Sequence, residues 1–362
     1  MSQTLQPTAE LLSLLLEAAR LAPSADNGQP FTLTPYTEGL ILRADLSRVG
    51  GFSDKSGFLT FSALGAVAEN LLQQSEYMGL KTEVVFADTD ASTLYPDIYI
   101  KLFETAKLDV SKGLLPVIEQ RYTERCANYL PLDTALDEQE YCSLLEPLAC
   151  KVRIFSRENR ADKKQLSKLA ARAEALRFTS KDIHHELISA VDFENTHQGK
   201  EGLPLASLKL DPGAKVVLKA IRSWSLLSAL NHLGFNQLLG ILGAGQPLRQ
   251  APCVLVIGAD SYQPKALFNS GRALHRVWLK ITELGFIAQP YAAIGTMSSG
   301  HFEFVGAAEQ QRLRVMSGSK YLSGLSAPMY VLRVGKAPKN LNKARTRRRD
   351  LAEFLQGPAE RS

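Results

Sequence analysis

The sequence predicts an α+β fold, and three observations carry that reading. Strand-like and helical stretches are interleaved without a regular strand–helix–strand rhythm. Two long helical stretches, 61–80 and 270–286, are apolar around much of their circumference, and each stops at a glycine ahead of a strand-like run. No segment of linker composition divides the chain; 108–116 is the best crossing point and is hardly a linker. At 362 residues the chain can bury a substantial core as two domains or one. Two intimately packed halves are therefore expected, 1–115 and 116–362.

In chain order, Leu11, Leu12, Leu15, Ala18, Ala19 and Ala22 fit one face of a helix. It ends at Pro23-Ser-Ala-Asp-Asn27-Gly-Gln-Pro30, a stiffened loop rich in neutral hydrogen-bonding groups. The residues 31–36 and 40–44 read as a hairpin, and 82–87 and 97–103 as strands, the latter with Pro96 in front of it. Strands are also expected at 152–155, 252–259, 287–294 and 329–334, and helices at 162–178, 180–191 and 221–241. The helices 61–80 and 270–286 each open on a small residue and are expected to pack on each other. The polar, glycine-punctuated stretch 192–216 reads as a long loop or lid, with an ordinary surface crossover as the alternative.

Composition excludes several classes. The chain is 45% apolar and 22% charged, and much of its net charge of +5 sits in 343–349, so the body is near neutral. No run of 18 apolar residues occurs, so no membrane span and no membrane partner are expected. The start lacks a basic stretch followed by an apolar core, which points to no secretory signal and a cytoplasmic protein. Cys126, Cys142, Cys150 and Cys253 share no metal-like spacing and read as reduced thiols, and the scattered histidines suggest no metal. The basic run has no interleaved aromatics, so nucleic acid is not an expected partner.

Two constellations remain. Ser24, Asn27 and Gln29, with Pro23 fixing the bend, suit the carbonyls and ring nitrogens of a planar heteroaromatic cofactor; ordinary turn chemistry is the alternative. Arg121, Thr123 and Arg125 place two guanidinium groups around a hydroxyl near a helix end, suited to a phosphate, or to a solvated helix end paired with Glu119 and Glu124.

Together these residues resemble the nitroreductase family of FMN-binding flavoproteins, most closely a fused branch whose single chain holds two related halves. The loop 23–30 resembles the family's proline–serine–x–x–asparagine–x–glutamine–proline motif. Arg121-Tyr-Thr123-Glu-Arg125 resembles its arginine–x–serine/threonine–x–arginine signature, and the two long helices resemble its dimer-interface helix. The resemblance implies an α/β/α sandwich forming an intramolecular pseudo-dimer, and hence a monomer. It implies one FMN, because the second half's equivalent loop, Glu146-Pro-Leu-Ala-Cys-Lys151, lacks the serine, asparagine and glutamine. By the same resemblance Arg121 pairs with the phosphate and Thr123 with phosphate or ribityl, while Arg125 contacts the site or braces it. Pro23, Ser24, Asn27 and Gln29 hold the ring side, Gln289 lines the pyrimidine side, and Arg347 and Arg348 add to the phosphate site. The implied activity is hydride transfer from NAD(P)H through FMN to a small acceptor such as a nitroaromatic or quinone, with no catalytic side chain required. The alternative is a flavin-storage protein without turnover, its ring covered by the 192–216 segment.

Overall fold

The computed structural model describes residues 4–87, 94–196, 198–299, 302–339 and 345–356. Residues 1–3 at the start and Lys343 and Ala344 of the basic run lie outside them.

Helix α1 (Ala9–Arg20) begins where the Thr8 hydroxyl accepts from the Leu11 amide, and it buries Leu11, Leu15, Leu16, Ala18 and Ala19. The expected hairpin follows as β1 (Phe31–Tyr36) and β2 (Gly39–Ala44). After α2 (Phe58–Tyr77), strands β3 (Lys81–Phe86) and β4 (Ile98–Phe103) complete an antiparallel sheet of order β1-β2-β4-β3. Beyond the short α3 (Pro116–Gln120), α4 (Glu138–Leu145) leads into β5 (Cys150–Phe155). An insertion then carries α5 (Arg160–Arg177), α6 (Lys181–Ser189), the two-residue strands β6 (Val191–Asp192) and β7 (Leu203–Pro204), and α7 (Pro212–Ala220). It continues through α8 (Trp224–Asn231), α9 (Phe235–Gly240), a π-helical turn at Ile241–Gly245, and α10 (Gln246–Gln250). The chain returns as β8 (Cys253–Ala259), α11 (Pro264–Glu283), β9 (Ile287–Tyr291), α12 (Ala293–Ser298), α13 (Ala307–Ser317) and β10 (Ala327–Gly335).

The second sheet is again antiparallel, in the order β5-β8-β10-β9. Both sheets therefore follow one plan: two strands, a helix of 20 residues, two strands, with the last strand beside the second. The insertion stands where the first sheet has a tight turn. One apolar core joins the sheets: Leu33, Leu42 and Ile100 of the first belong to the same buried cluster as Leu255, Ile257 and Leu332 of the second, together with residues of α2 and α11. That shared core is why no linker composition marks a boundary. The second sheet is covered on its other face as well, where Val254 and Val256 pack with Leu166, Leu169 and Ile294. Every residue of β8 is consequently buried, as a strand between two helical layers requires.

The two long helices cross at glycines. A Cβ on Gly65 would strike the Phe268 carbonyl oxygen, and one on Gly271 the Ser62 carbonyl oxygen, so the crossing brings backbone against backbone. Beside it the fully buried Glu69 carboxylate takes Arg276 Nε at 2.7 Å and Arg272 Nε at 3.1 Å. Burial alone pushes Glu69 up, but the two arginines outweigh it and hold the carboxyl below its ordinary range.

Several expected boundaries are corrected. Neither long helix opens on a small residue. The first starts at Phe58, because the Asp54 carboxylate takes the amides of Leu59 and Thr60 across a left-handed Gly57. The second starts at Pro264, a proline at the first helical position. The strand expected over 287–294 stops at Tyr291 and gives way to α12. The helix expected over 221–241 breaks at Gly234, whose φ is 82°. The 192–216 stretch holds β6, β7 and the start of α7, capped by Asp211 with Pro212 behind it.

Candidate functional site

The site grows from the loop that ends α1. Asp26, Asn27 and Gln29 all adopt positive φ, at 49°, 59° and 49°. Asp and Asn reach this region at modest cost, Gln less so, and such a run persists only where its surroundings hold it. The holding contacts are specific. The Gln29 amide donates to Ser24 Oγ at 2.9 Å, and its buried side chain donates to the Lys200 carbonyl at 2.7 Å and accepts from the Arg349 amide at 3.0 Å. Asn27 Nδ2 faces the carbonyls of Gly199, Lys200 and Arg347, each at 3.2 Å, while Asn27 Oδ1 accepts from Arg348 Nη1 at 2.8 Å. The loop is thus stitched both to the insertion and to the C-terminal strap. That strap returns to the first half, where Phe354 stacks on Phe31 with ring centroids 4.8 Å apart.

Behind the loop runs a cleft of two joined chambers, about 110 and 270 Å³, that share Pro23, Ser24, Asp26, Thr123 and Arg125 as walls. The smaller chamber is cationic. Arg121, Arg345 and Arg348 line it, and among the described residues none of the three is ion-paired to a carboxylate. Arg121 lies over the Trp278 ring at 4.7 Å and gives Nη2 to the Leu21 carbonyl at 2.8 Å, while its buried Nε has no hydrogen-bond partner. Burial first, then Arg348 and Arg345, pushes its pKa down to about 9. Burial first, then Arg20, takes Arg348 down to about 10. Asp26 and Glu119 also line this chamber but make no ion pair with the three arginines, so the cations still disfavour one another, and an anion bound among them would reverse the sign of the interaction.

The larger chamber is walled by Leu59, Ala66, Leu274 and Met297 with the rings of Trp278 and Tyr291. Gly271, Leu274, His275 and Trp278 reach it from successive turns of α11, which explains their spacing. His275 is fully buried. Asn70 gives its Nδ2 to the Ala18 carbonyl at 2.7 Å, which leaves its Oδ1 to accept from His275 Nε2. The network therefore assigns the proton to Nε2 and leaves Nδ1 a bare acceptor, without a partner in the structure. Burial, then Arg121 and Arg348, keeps this imidazole well below its ordinary pKa and neutral. Tyr291 Oη is likewise buried without a partner. Arg125 contacts both chambers, and burial lowers its pKa despite the opposing pull of Asp26.

Of the residues singled out in the sequence, Pro23, Ser24, Asn27, Arg121, Thr123, Arg125, Gln289 and Arg348 line this cleft. Gln29 and Arg347 do not. Gln29 is consumed inside the loop, and Arg347 is exposed, its amide bound to the Gly199 carbonyl at 2.8 Å. Arg345 takes the place assigned to Arg347, held by the carbonyls of Glu119 and Gln120. Among the described residues of the 192–216 segment only Leu203 reaches the cleft. The insertion's walls of the larger chamber are instead Glu174, Arg177 and Gly243. Among the described residues no cluster could hold a metal ion, and no helix is long and apolar enough to cross a membrane.

No protein-family model and no curated protein matches the chain. Solved structures similar to it include a nitroreductase with bound FMN from Desulfitobacterium hafniense, 18% identical, covering 66% of this chain and 94% of that one at a TM-score of 0.34. The FMN-dependent nitroreductase NfnB from Mycobacterium smegmatis, in complex with NADPH, is 17% identical over 66% of this chain and 95% of its own, at 0.35. A BluB-like flavoprotein from Clostridium difficile is 9% identical over 67% and 96%, at 0.34. Likeness this distant carries no argument about chemistry, which rests on the cleft.

Proposed function

We propose that the cleft binds one FMN between two related halves, 1–115 and 116–362, and that the chain is an NAD(P)H-dependent oxidoreductase passing electrons to a small acceptor such as a nitroaromatic or quinone. One observation carries the reading: three arginines, none ion-paired to a carboxylate among the described residues, converge at one end of a cleft whose other end is walled by apolar and aromatic side chains with unpartnered polar atoms beside them. A phosphate answers the first requirement and a heteroaromatic ring rimmed with carbonyls and N–H groups the second.

FMN bound here would supply a two-electron carrier able to accept hydride from a nicotinamide. The chain's own residues supply placement and field. Arg121, Arg345 and Arg348 neutralise the phosphate, Thr123 offers a hydroxyl where the chambers join, and Asn27 orients Arg348. Tyr291 Oη has a proton to donate and His275 Nδ1 a lone pair to offer. Pro23 and Ser24 fix the loop, and Gln289 faces the ring chamber. The matched plans of the two sheets favour an internal duplication that makes the chain a self-contained monomer. The loop at Glu146–Leu148 occupies the place before β5 that 23–30 occupies before β1, without the matching side chains, which favours a single site.

A second reading, flavin storage without turnover, has its own support: the Glu174–Arg177 ion pair and Gly243 of the insertion form part of the wall of the ring chamber of about 270 Å³. Anaerobic addition of NADPH or NADH to the FMN-loaded protein separates the two. Bleaching of the visible flavin absorbance, reversed by menadione or a nitroaromatic, supports the oxidoreductase; an unchanged spectrum supports storage.

A further inference from the structure

We propose that the insertion docks the protein on an anionic lipid surface through α7, α8, α9 and the π-helical turn. The first observation is apolar exposure where a globular surface would normally be polar. Leu233 is 86% exposed, Val216 68%, Leu242 54% and Ile241 49%, and Val217, Leu226 and Leu238 are exposed with them. Helix α7 has no buried residue at all, and its Val216-Val217-Leu218 run is bracketed by Lys215 and Lys219, a composition suited to a helix lying at an interface.

The second observation is charge. Between Asp211 and Asp260 the sequence contains no carboxylate, while Lys215, Lys219, Arg222 and Arg249 are all cationic. None of these four is ion-paired among the described residues. Exposed apolar side chains accompanied by uncompensated cations match a headgroup layer of negative lipids over acyl chains. A second copy of the chain is the less favoured occupant, because a two-fold contact would bring the same cations face to face.

The expectation of no membrane partner rested on the lack of a spanning segment. The helices concerned have 9, 8 and 6 residues, so the contact is one of lying on the surface. It also touches the cleft: Gly243 walls the larger chamber, while its neighbours Ile241 and Leu242 face outward. One turn of chain therefore links the docking surface to the cavity. The proposal does not depend on what the cavity binds.

Co-sedimentation of the full chain with phosphatidylcholine vesicles, with and without phosphatidylserine, tests it. The protein should pellet with the phosphatidylserine vesicles, weakly with phosphatidylcholine alone, and less as salt rises. The double variant Leu233→Asp/Ile241→Asp should abolish pelleting. Lys215→Gln/Lys219→Gln should weaken it about 25-fold, at about fivefold per cation near the surface. Because the lysine pair is peripheral, it keeps the test decisive should the aspartate pair unfold. The proposal is overturned if phosphatidylserine vesicles bring down no protein, or if neither double variant changes the bound fraction. It is equally overturned if the chain is a dimer that Leu233→Asp/Ile241→Asp converts to monomer without vesicle binding.

Discussion

Replacing Arg121 by methionine removes the most deeply placed cation of the cleft while keeping an unbranched stem against Trp278. In the parent, Nη2 is engaged by the Leu21 carbonyl and Nε has no partner, so Nε and Nη1 are available to an anion. Two charge-assisted hydrogen bonds at about 1.5–3 kcal/mol each give about 3–6 kcal/mol. Arg121→Met should therefore weaken FMN binding by roughly 10²–10⁴-fold. Riboflavin has the same ring without the phosphate, so its affinity should change by less than about threefold. Without ligand the sign differs. Burial and like charges have pushed this guanidinium down to about 9, so removing it relieves a penalty on the order of a few kcal/mol, set against about 1 kcal/mol for the abandoned Leu21 carbonyl. The ligand-free variant should melt no lower than the parent. Quenching of flavin fluorescence on titration reads both affinities. Equal weakening of FMN and riboflavin, or of neither, would refute the placement of the phosphate among these arginines.

Other perturbations address the supporting structure. Gly271→Ala drives a Cβ into the Ser62 carbonyl, and should destabilise the helix crossing by at least about 1–3 kcal/mol despite alanine's better helix preference, seen as a lower Tm. Asn27→Ala releases the clamp on Gly199, Lys200 and Arg348, so limited proteolysis should cut the 198–204 segment faster and FMN should bind more weakly. His275 is held neutral in the fold, whereas an unfolded histidine takes a proton near pH 6.5. The unfolded chain then binds more protons, so the stability this residue contributes is complete above about pH 6.5 and is lost as pH falls below it. Chemical denaturation at several pH values should show that slope, and His275→Gln should flatten it.

Much of this was legible in the sequence because the signals are local. The strand runs show period-two patterns or β-branched density, and the glycines closing α2 and α11 are ordinary helix stops. Helix starts were harder. Asp54 caps α2 across a glycine turn, a reach that no short motif displays, whereas Pro264 and the Asp211-Pro212 pair were readable signs of helix starts. The break at Gly234 was hidden by the apolar density on either side of it. Arg121, Thr123 and the Pro23–Ser24 loop stand out in the sequence by their hydrogen-bonding chemistry, but it took the family resemblance to set them above a solvated helix end and an ordinary turn, and the fold brings them to one cleft. The C-terminal arginines could not, because four cations in five residues are chemically equivalent until the strap is laid on Asn27 and Gln29. Only that tertiary path brings the exposed Arg345 and the half-buried Arg348 to the cleft wall, leaves Arg347 off it, and commits Arg349 to the Gln29 carbonyl at 2.9 Å. Gln29 stays off the cleft wall for a related reason: at its left-handed backbone the side-chain amide donates to the Asn27 carbonyl inside the loop.

A crystal structure of the full chain soaked with FMN tests the division between a cationic pocket and a ring pocket most directly. One flavin per chain is expected, its phosphate within hydrogen-bond distance of Arg121, Arg345 and Arg348 and its ring against Trp278 and Tyr291. A flavin lodged instead at the loop preceding β5, a phosphate turned away from the three arginines, or a cleft that stays free of flavin at saturating FMN would contradict that division.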